Sequence, residues 1–128
     1  ADWLIERPRN WSDCDGDVEK SFTKEHLINT VMIYWLTESF STSVRYYWEN
    51  ARAPWTASHD RKPTIETPTA IAVFPRELIL MPRKLAEERT NLHRWTLMPS
   101  GGHFAPAEEP QLLVEDLQAF FRTLKSAS

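Results

Sequence analysis

Gly101-Gly102-His103 is the stretch of this chain with the clearest capacity for chemistry. Two residues without a Cβ let the backbone turn sharply and approach its neighbours closely. The imidazole that follows them can take up and release a proton near neutral pH. A loop histidine with one satisfied hydrogen bond is the plainer alternative. An imidazole used as a base needs a carboxylate on one ring nitrogen, to fix its tautomer and stabilise the imidazolium. Glu77, in the turn Phe74-Pro75-Arg76-Glu77, is the leading candidate. Its plainer role is a surface ion pair with Arg76 or Arg83. Glu108 and Glu109 compete with it, but they lie at the start of the last expected helix, where the helix dipole alone accounts for acids.

A second cluster, Asp13-Cys14-Asp15-Gly16-Asp17, invites a calcium reading. An EF-hand loop needs glycine at its sixth position and glutamate at its twelfth. Counted from Asp13, those positions hold Val18 and Lys24. The cluster therefore reads as an acidic turn, and no metal or other cofactor is expected. The lone Cys14 excludes an internal disulfide and is a packing residue before it is a nucleophile. Net charge is −3 and no basic run exceeds two residues, which argues against nucleic-acid binding. No apolar stretch approaches the roughly 20 residues of a membrane span. The first residues lack the layout of a secretory leader, so a cytoplasmic location is expected. The absence of an initiator Met suggests a chain that starts inside something larger.

These groups must be positioned by elements that the sequence outlines. Thr23 is a suitable N-cap, with Glu25 in the first turn. Leu27, Ile28, Val31, Met32, Trp35 and Leu36 then make an apolar stripe that predicts a helix over about 24–38. A second helix is expected over roughly 41–52, ending before Pro54. Its Tyr46, Tyr47 and Trp48 are consecutive and cannot all face one way. Residues 51–67 read as a loop and as the best internal boundary. Beyond it, Thr69–Phe74 is apolar on both faces, as a strand buried in a parallel sheet should be. A helix over about 82–89 opened by Pro82, a strand over 94–98 and a helix from Pro110 to about Leu124 follow. The last would bury Leu112, Leu113, Leu117, Phe120, Phe121 and Leu124. Strand, acid loop, helix, strand, histidine loop, helix is an α/β alternation. Both strands look central, so two of them cannot be a whole sheet, and a fragment is expected. His103 and Glu77 fall on successive βα loops, where open α/β sheets place their sites. They also fit the chain order nucleophile, acid, histidine of α/β-hydrolases.

Four blocks carry a more specific resemblance: Trp11–Asp17, Tyr46–Asn50, Pro68–Glu77 and Gly101–Pro110. Together they resemble the C-terminal half of microsomal-type epoxide hydrolases, including soluble bacterial relatives, over nearly all of the chain. Pro106 and Ala70 depart from the residues usual in that family, at positions with no chemical role. The resemblance implies the C-terminal portion of an α/β-hydrolase fold, meaning the last strands and helices of the parallel sheet, plus helices of the lid. Residues 1–62 would be the lid part with its linker and 63–128 the core part. It also implies roles: His103 as base, Glu77 as its acid partner, and Tyr47 as a lid phenol that donates to the epoxide oxygen. A packed core aromatic is the plainer reading of Tyr47.

The family's nucleophilic Asp, its oxyanion segment and its other lid tyrosine have no counterpart here, so the chain alone is expected to be inactive. Its partners would be a small apolar epoxide, water and the missing N-terminal part of the same hydrolase; the resemblance also allows a homodimer. The aromatic-rich lid suits an apolar pocket. Two other readings are open on the sequence. An esterase or dehalogenase on the same fold would be told apart by the upstream nucleophile. A non-catalytic binding module would fold alone and stay inactive when the missing half is supplied.

Overall fold

A computed structural model describes residues 2–53 and 56–126. The chain forms α1 (Asp2–Trp11), a short 3-10 turn (Val18–Lys20), α2 (Lys24–Leu36), α3 (Phe40–Arg52), β1 (Ile65–Val73), α4 (Arg83–Arg89), β2 (Thr90–Leu97), α5 (Ala105–Glu108) and α6 (Pro110–Ser126).

Thr23 caps α2 as expected: its hydroxyl accepts a hydrogen bond from the His26 amide at 3.1 Å, satisfying one of the orphan donors of the first turn. The helix stops two residues early because Glu38 turns left-handed, with φ of 53°. Of its apolar stripe only Leu27 is buried, while Ile28, Trp35 and Leu36 are open to solvent. On α3 the three consecutive rings fan outward, and Arg52, one turn later, lays its guanidinium over Trp48 at 3.9 Å. Pro54, expected to stop this helix, lies outside the described residues.

β1 and β2 pair in parallel, with Ala70 opposite Arg94 and Val73 opposite Leu97. β1 begins at Ile65 rather than Thr69, so Pro68 lies within it. A register shift between Ile65 and Pro68 absorbs the donor that proline lacks. β2 likewise starts early, at Thr90, whose hydroxyl donates to the Ala86 carbonyl as α4 ends. Pro82 sits at the cap of α4 rather than in its first turn. Phe74, Met98 and Ala105 make the core, with Ala72, Leu112 and Leu113 packed against them. Both catalytic-candidate loops spring from this core, since Phe74 and Met98 are the residues that immediately follow the two strands.

α6 covers the sheet by a different stripe from the one expected. Phe120 is buried, but Leu117 and Phe121 are exposed. Asp116 is buried instead, accepting from Arg94 Nε and Thr96 Oγ1, both at 2.7 Å. A buried carboxylate is tolerable only when paired and hydrogen-bonded, and β2 supplies both partners. Among the described residues the sheet has two strands. Leu97, at the end of β2, is 73% exposed, whereas Trp95 on the same face is half-buried.

Candidate active site

The acid loop begins where Phe74 sinks into the core. The Glu77 amide donates to the Phe74 carbonyl at 3.2 Å, closing a tight turn around Pro75 and Arg76. The histidine loop runs alongside. Met98 N donates to Val73 O at 2.8 Å, and Arg76 N donates to Gly101 O at 3.1 Å. A parallel bridge between Arg76 and Gly102 extends the pairing past the strand ends. The two loops therefore leave the sheet side by side.

Both glycines have a physical reason. Gly101 has φ of +101°, and a Cβ there would lie 2.8 Å from Phe74 Cδ1. At Gly102 a Cβ would meet the Trp11 carbonyl oxygen at 2.7 Å and the Asp13 nitrogen at 3.1 Å, so the loop is pressed against the turn after α1. His103 N then donates to that same Trp11 carbonyl at 2.9 Å.

His103 Nδ1 and Glu77 Oε1 are 2.7 Å apart. An ionised carboxylate only accepts, so the shared proton belongs to Nδ1 and Nε2 is the basic nitrogen. The same Oε1 also accepts from the Leu78 amide at 2.7 Å, which steadies the carboxylate. The pair is partly exposed, with the His103 side chain at 40% and Glu77 at 32%. Trp11 and Phe104 meet the imidazole edge to face at 5.1 and 5.2 Å and stack on each other. This arrangement can hold an imidazole in one tautomer and stabilise its protonated form. That is the equipment of a general base.

The competing roles for Glu77 are not taken up. Arg76 turns to Asp13 and Asp15, and Arg83 pairs with Glu87. Glu108 is occupied elsewhere: its two oxygens accept from the Phe104 amide at 2.9 Å and the Asp13 amide at 2.6 Å. Cys14 is buried, and its thiol faces the Arg9 carbonyl.

Tyr47 lies on α3, half-exposed, and among the described contacts none joins it directly to the His103–Glu77 pair. Its ring meets Trp3 edge to face at 5.6 Å. Trp3, Arg7 and Trp11 follow one another by four residues along one face of α1, as helix geometry requires. The Arg7 guanidinium lies 3.9 Å from the Trp3 ring and 4.8 Å from that of Trp11. Trp11 in turn touches His103. One helix thus has Trp3 against the Tyr47 ring and Trp11 against the imidazole, two contact points separated by about 12 Å along its axis for eight residues of rise. Sequence reasoning overlooked this ladder and the roles of Asp13 and Glu108. The i, i+4 spacing of Trp3, Arg7 and Trp11 was the available signal for the ladder.

No family profile matches the chain. Individual proteins do. The chain is 35% identical over 127 residues to epoxide hydrolase 1 of Oryctolagus cuniculus, covering 94% of this chain and 28% of that protein. It is 45% identical over 107 residues to juvenile hormone epoxide hydrolase 2 of Ctenocephalides felis, covering 80% of this chain and 22% of that one. Among solved structures, the epoxide hydrolase of Aspergillus niger superposes with a TM-score of 0.74 at 30% identity, over 94% of this chain and 29% of that one. The juvenile hormone epoxide hydrolase of Bombyx mori gives a TM-score of 0.80 at 24% identity, over 97% and 33%, a likeness of fold. The chain spans under a third of the length of the curated relatives it matches.

Proposed function

From a chain homologous to the epoxide hydrolases and matching the C-terminal portion of their α/β-hydrolase fold, we propose that it supplies the base, its acid partner and one lid phenol of an epoxide hydrolase. Residues 1–62 contribute to the lid and 63–128 to the core. The substrate is a small apolar epoxide, opened with water to a vicinal diol, and the location is cytoplasmic. The observation that carries this reading is the 2.7 Å contact between His103 Nδ1 and Glu77 Oε1, at the ends of two parallel strands, in a chain with such relatives.

An epoxide is strained, yet it opens to an alkoxide, which leaves poorly unless it receives a proton. A carboxylate from the part of the fold outside these 128 residues attacks a ring carbon. The carbon–oxygen ester bond forms as the ring carbon–oxygen bond breaks, and the Tyr47 hydroxyl gives its proton to the departing oxygen. One difficult hydrolysis becomes two easier steps. His103 Nε2 next takes a proton from water as that water attacks the ester carbonyl. Glu77 stabilises the imidazolium, the diol is expelled and the carboxylate is restored. The imidazolium proton returns through solvent to the phenolate, which balances the cycle. General-base assistance of this kind contributes about 100- to 10,000-fold. The open apolar groups on α2 and on β2 support the assignment of further covering elements to the rest of the protein.

The test uses the product of the complete open reading frame, supplied with an apolar epoxide and followed by intact mass. The parent should turn over. His103→Gln should form the ester and retain it, as an adduct of the epoxide's mass. Turnover of that variant at the parent rate would remove His103 from the role of base.

A further inference from the structure

The acidic turn between α1 and α2 has no part in the reaction above, yet it touches both loops that perform it. We propose that Asp13 is a positioning residue for the His103–Glu77 pair, holding the two loops in register and keeping Arg76 away from Glu77. The proposal rests on His103 acting as the base.

Three links from this one residue frame the pair. Asp13 Oδ2 accepts from the Gly101 amide at 3.0 Å, two residues before His103. Oδ1 lies 3.4 Å from Nε of Arg76, the residue immediately before Glu77. The Asp13 amide donates to Glu108 Oε2 at 2.6 Å, while Oε1 of Glu108 accepts from Phe104, the residue immediately after His103. The imidazole is thus bracketed on both sides of its backbone by groups tied to Asp13. The Asp13 side chain is only 26% exposed, so its charge-assisted bond from Gly101 is partly shielded from water and salt, while the Arg76 end of the ion pair is open. Gly102, lying against the same turn, lets the histidine loop come this close.

The link to Arg76 has a second consequence. A guanidinium next in sequence to Glu77 could pair with that carboxylate and draw it from the imidazole. Engaged by Asp13, and at its outer end by Asp15, it does not. Asp15 provides the internal contrast: it also faces Arg76, at 3.4 Å, but its side chain is 68% exposed and its other ion pair, with Lys20, is 3.9 Å long.

The experiment measures ester formation and ester breakdown separately, by single-turnover kinetics on the complete protein. Asp13→Asn keeps the shape, but its amide offers one oxygen where the carboxylate offered two. Ester breakdown should slow about 10-fold, by the scale on which small misplacements of catalytic groups cost rate. Ester formation should stay near the parent rate, so ester accumulates. Asp15→Asn should leave both steps at parent rates. Slowing of both steps together in Asp13→Asn would mark a merely structural role and overturn the proposal. So would an unchanged ratio of the two steps, or equal slowing by Asp15→Asn. If Asp13→Asn does not fold, Asp13→Glu keeps the charge but moves the carboxylate out by one methylene and should raise ester in the same selective way; an unchanged ratio there is equally fatal. A parent that forms no ester at all would remove the covalent route in which His103 acts as the base of ester breakdown. The positioning claim then stands on proton NMR of the His103 Nδ1–H. That proton should exchange with water faster in Asp13→Asn, and unchanged exchange would overturn the claim.

Discussion

Gly102→Ala tests how much of the site depends on backbone approach. The added Cβ would stand 2.7 Å from Trp11 O, with Ser12 Cα and Asp13 N each at 3.1 Å. All three are backbone atoms, so no side chain can rotate away. An ordinary contact of about 3.4 Å requires the loop to retreat by roughly 0.7 Å, a strain of the kind that costs about 1–3 kcal/mol. The same retreat lengthens the 2.9 Å bond from His103 N to Trp11 O to about 3.6 Å, beyond hydrogen-bond range, for about 1 kcal/mol more. The sum is about 2–4 kcal/mol. With a urea m-value of about 2 kcal/mol per molar, the midpoint of unfolding of the complete protein should fall by about 1–2 M. Displacing the imidazole by that distance from Glu77 should slow ester breakdown by about 10- to 100-fold. Gly16→Ala is the control: its Cβ would find Arg9 Nη2 at an ordinary 3.4 Å, and only its φ of +84° is strained. It should cost about 1 kcal/mol and spare the chemistry. Equal behaviour of the two variants, in midpoint and in rate, would refute the reasoning.

Two further outcomes follow from the same geometry. Tyr47→Phe keeps the ring contact with Trp3 and removes only the hydroxyl. Ester formation should slow about 10- to 100-fold, the equivalent of one strong hydrogen bond in the transition state, while breakdown of preformed ester is unaffected; burst kinetics separate these, and a normal burst rate would take Tyr47 out of the mechanism. Glu77→Gln can present an amide N–H to Nδ1 and so stabilise the wrong tautomer. Ester breakdown should then fall by about 10³- to 10⁴-fold with the fold intact by circular dichroism, and near-parent breakdown would leave Glu77 a bystander.

Much of the scaffold was legible because its signals are local. Thr23 caps α2 through a bond to an amide three residues away, and the α/β alternation repeats within short windows. The early starts of β1 and β2 were not legible. Pro68 argues against a strand until the register shift beside it is known, and Thr90 belongs as much to the end of α4 as to β2. On α6 the apolar residues outnumber the available cover. The buried stripe turns on Asp116, which is acceptable inside only because Arg94 and Thr96 reach it from β2.

The chain's own order of residues determined the loop chemistry: a glycine pair that only a close-packed turn requires, an acid and a histidine each following an apolar strand, and helices bounded by a cap or a breaker. Tertiary structure alone decided what meets what. Asp13 bonds to Gly101 and Glu108, which are 88 and 95 residues away in the chain. One face of α1 links the Tyr47 ring to the His103 imidazole through two indoles and a guanidinium. Contacts between such remote residues are made once each, by the way elements pack. Beyond the i, i+4 spacing within α1, they carry no period and no spacing that a linear reading could register.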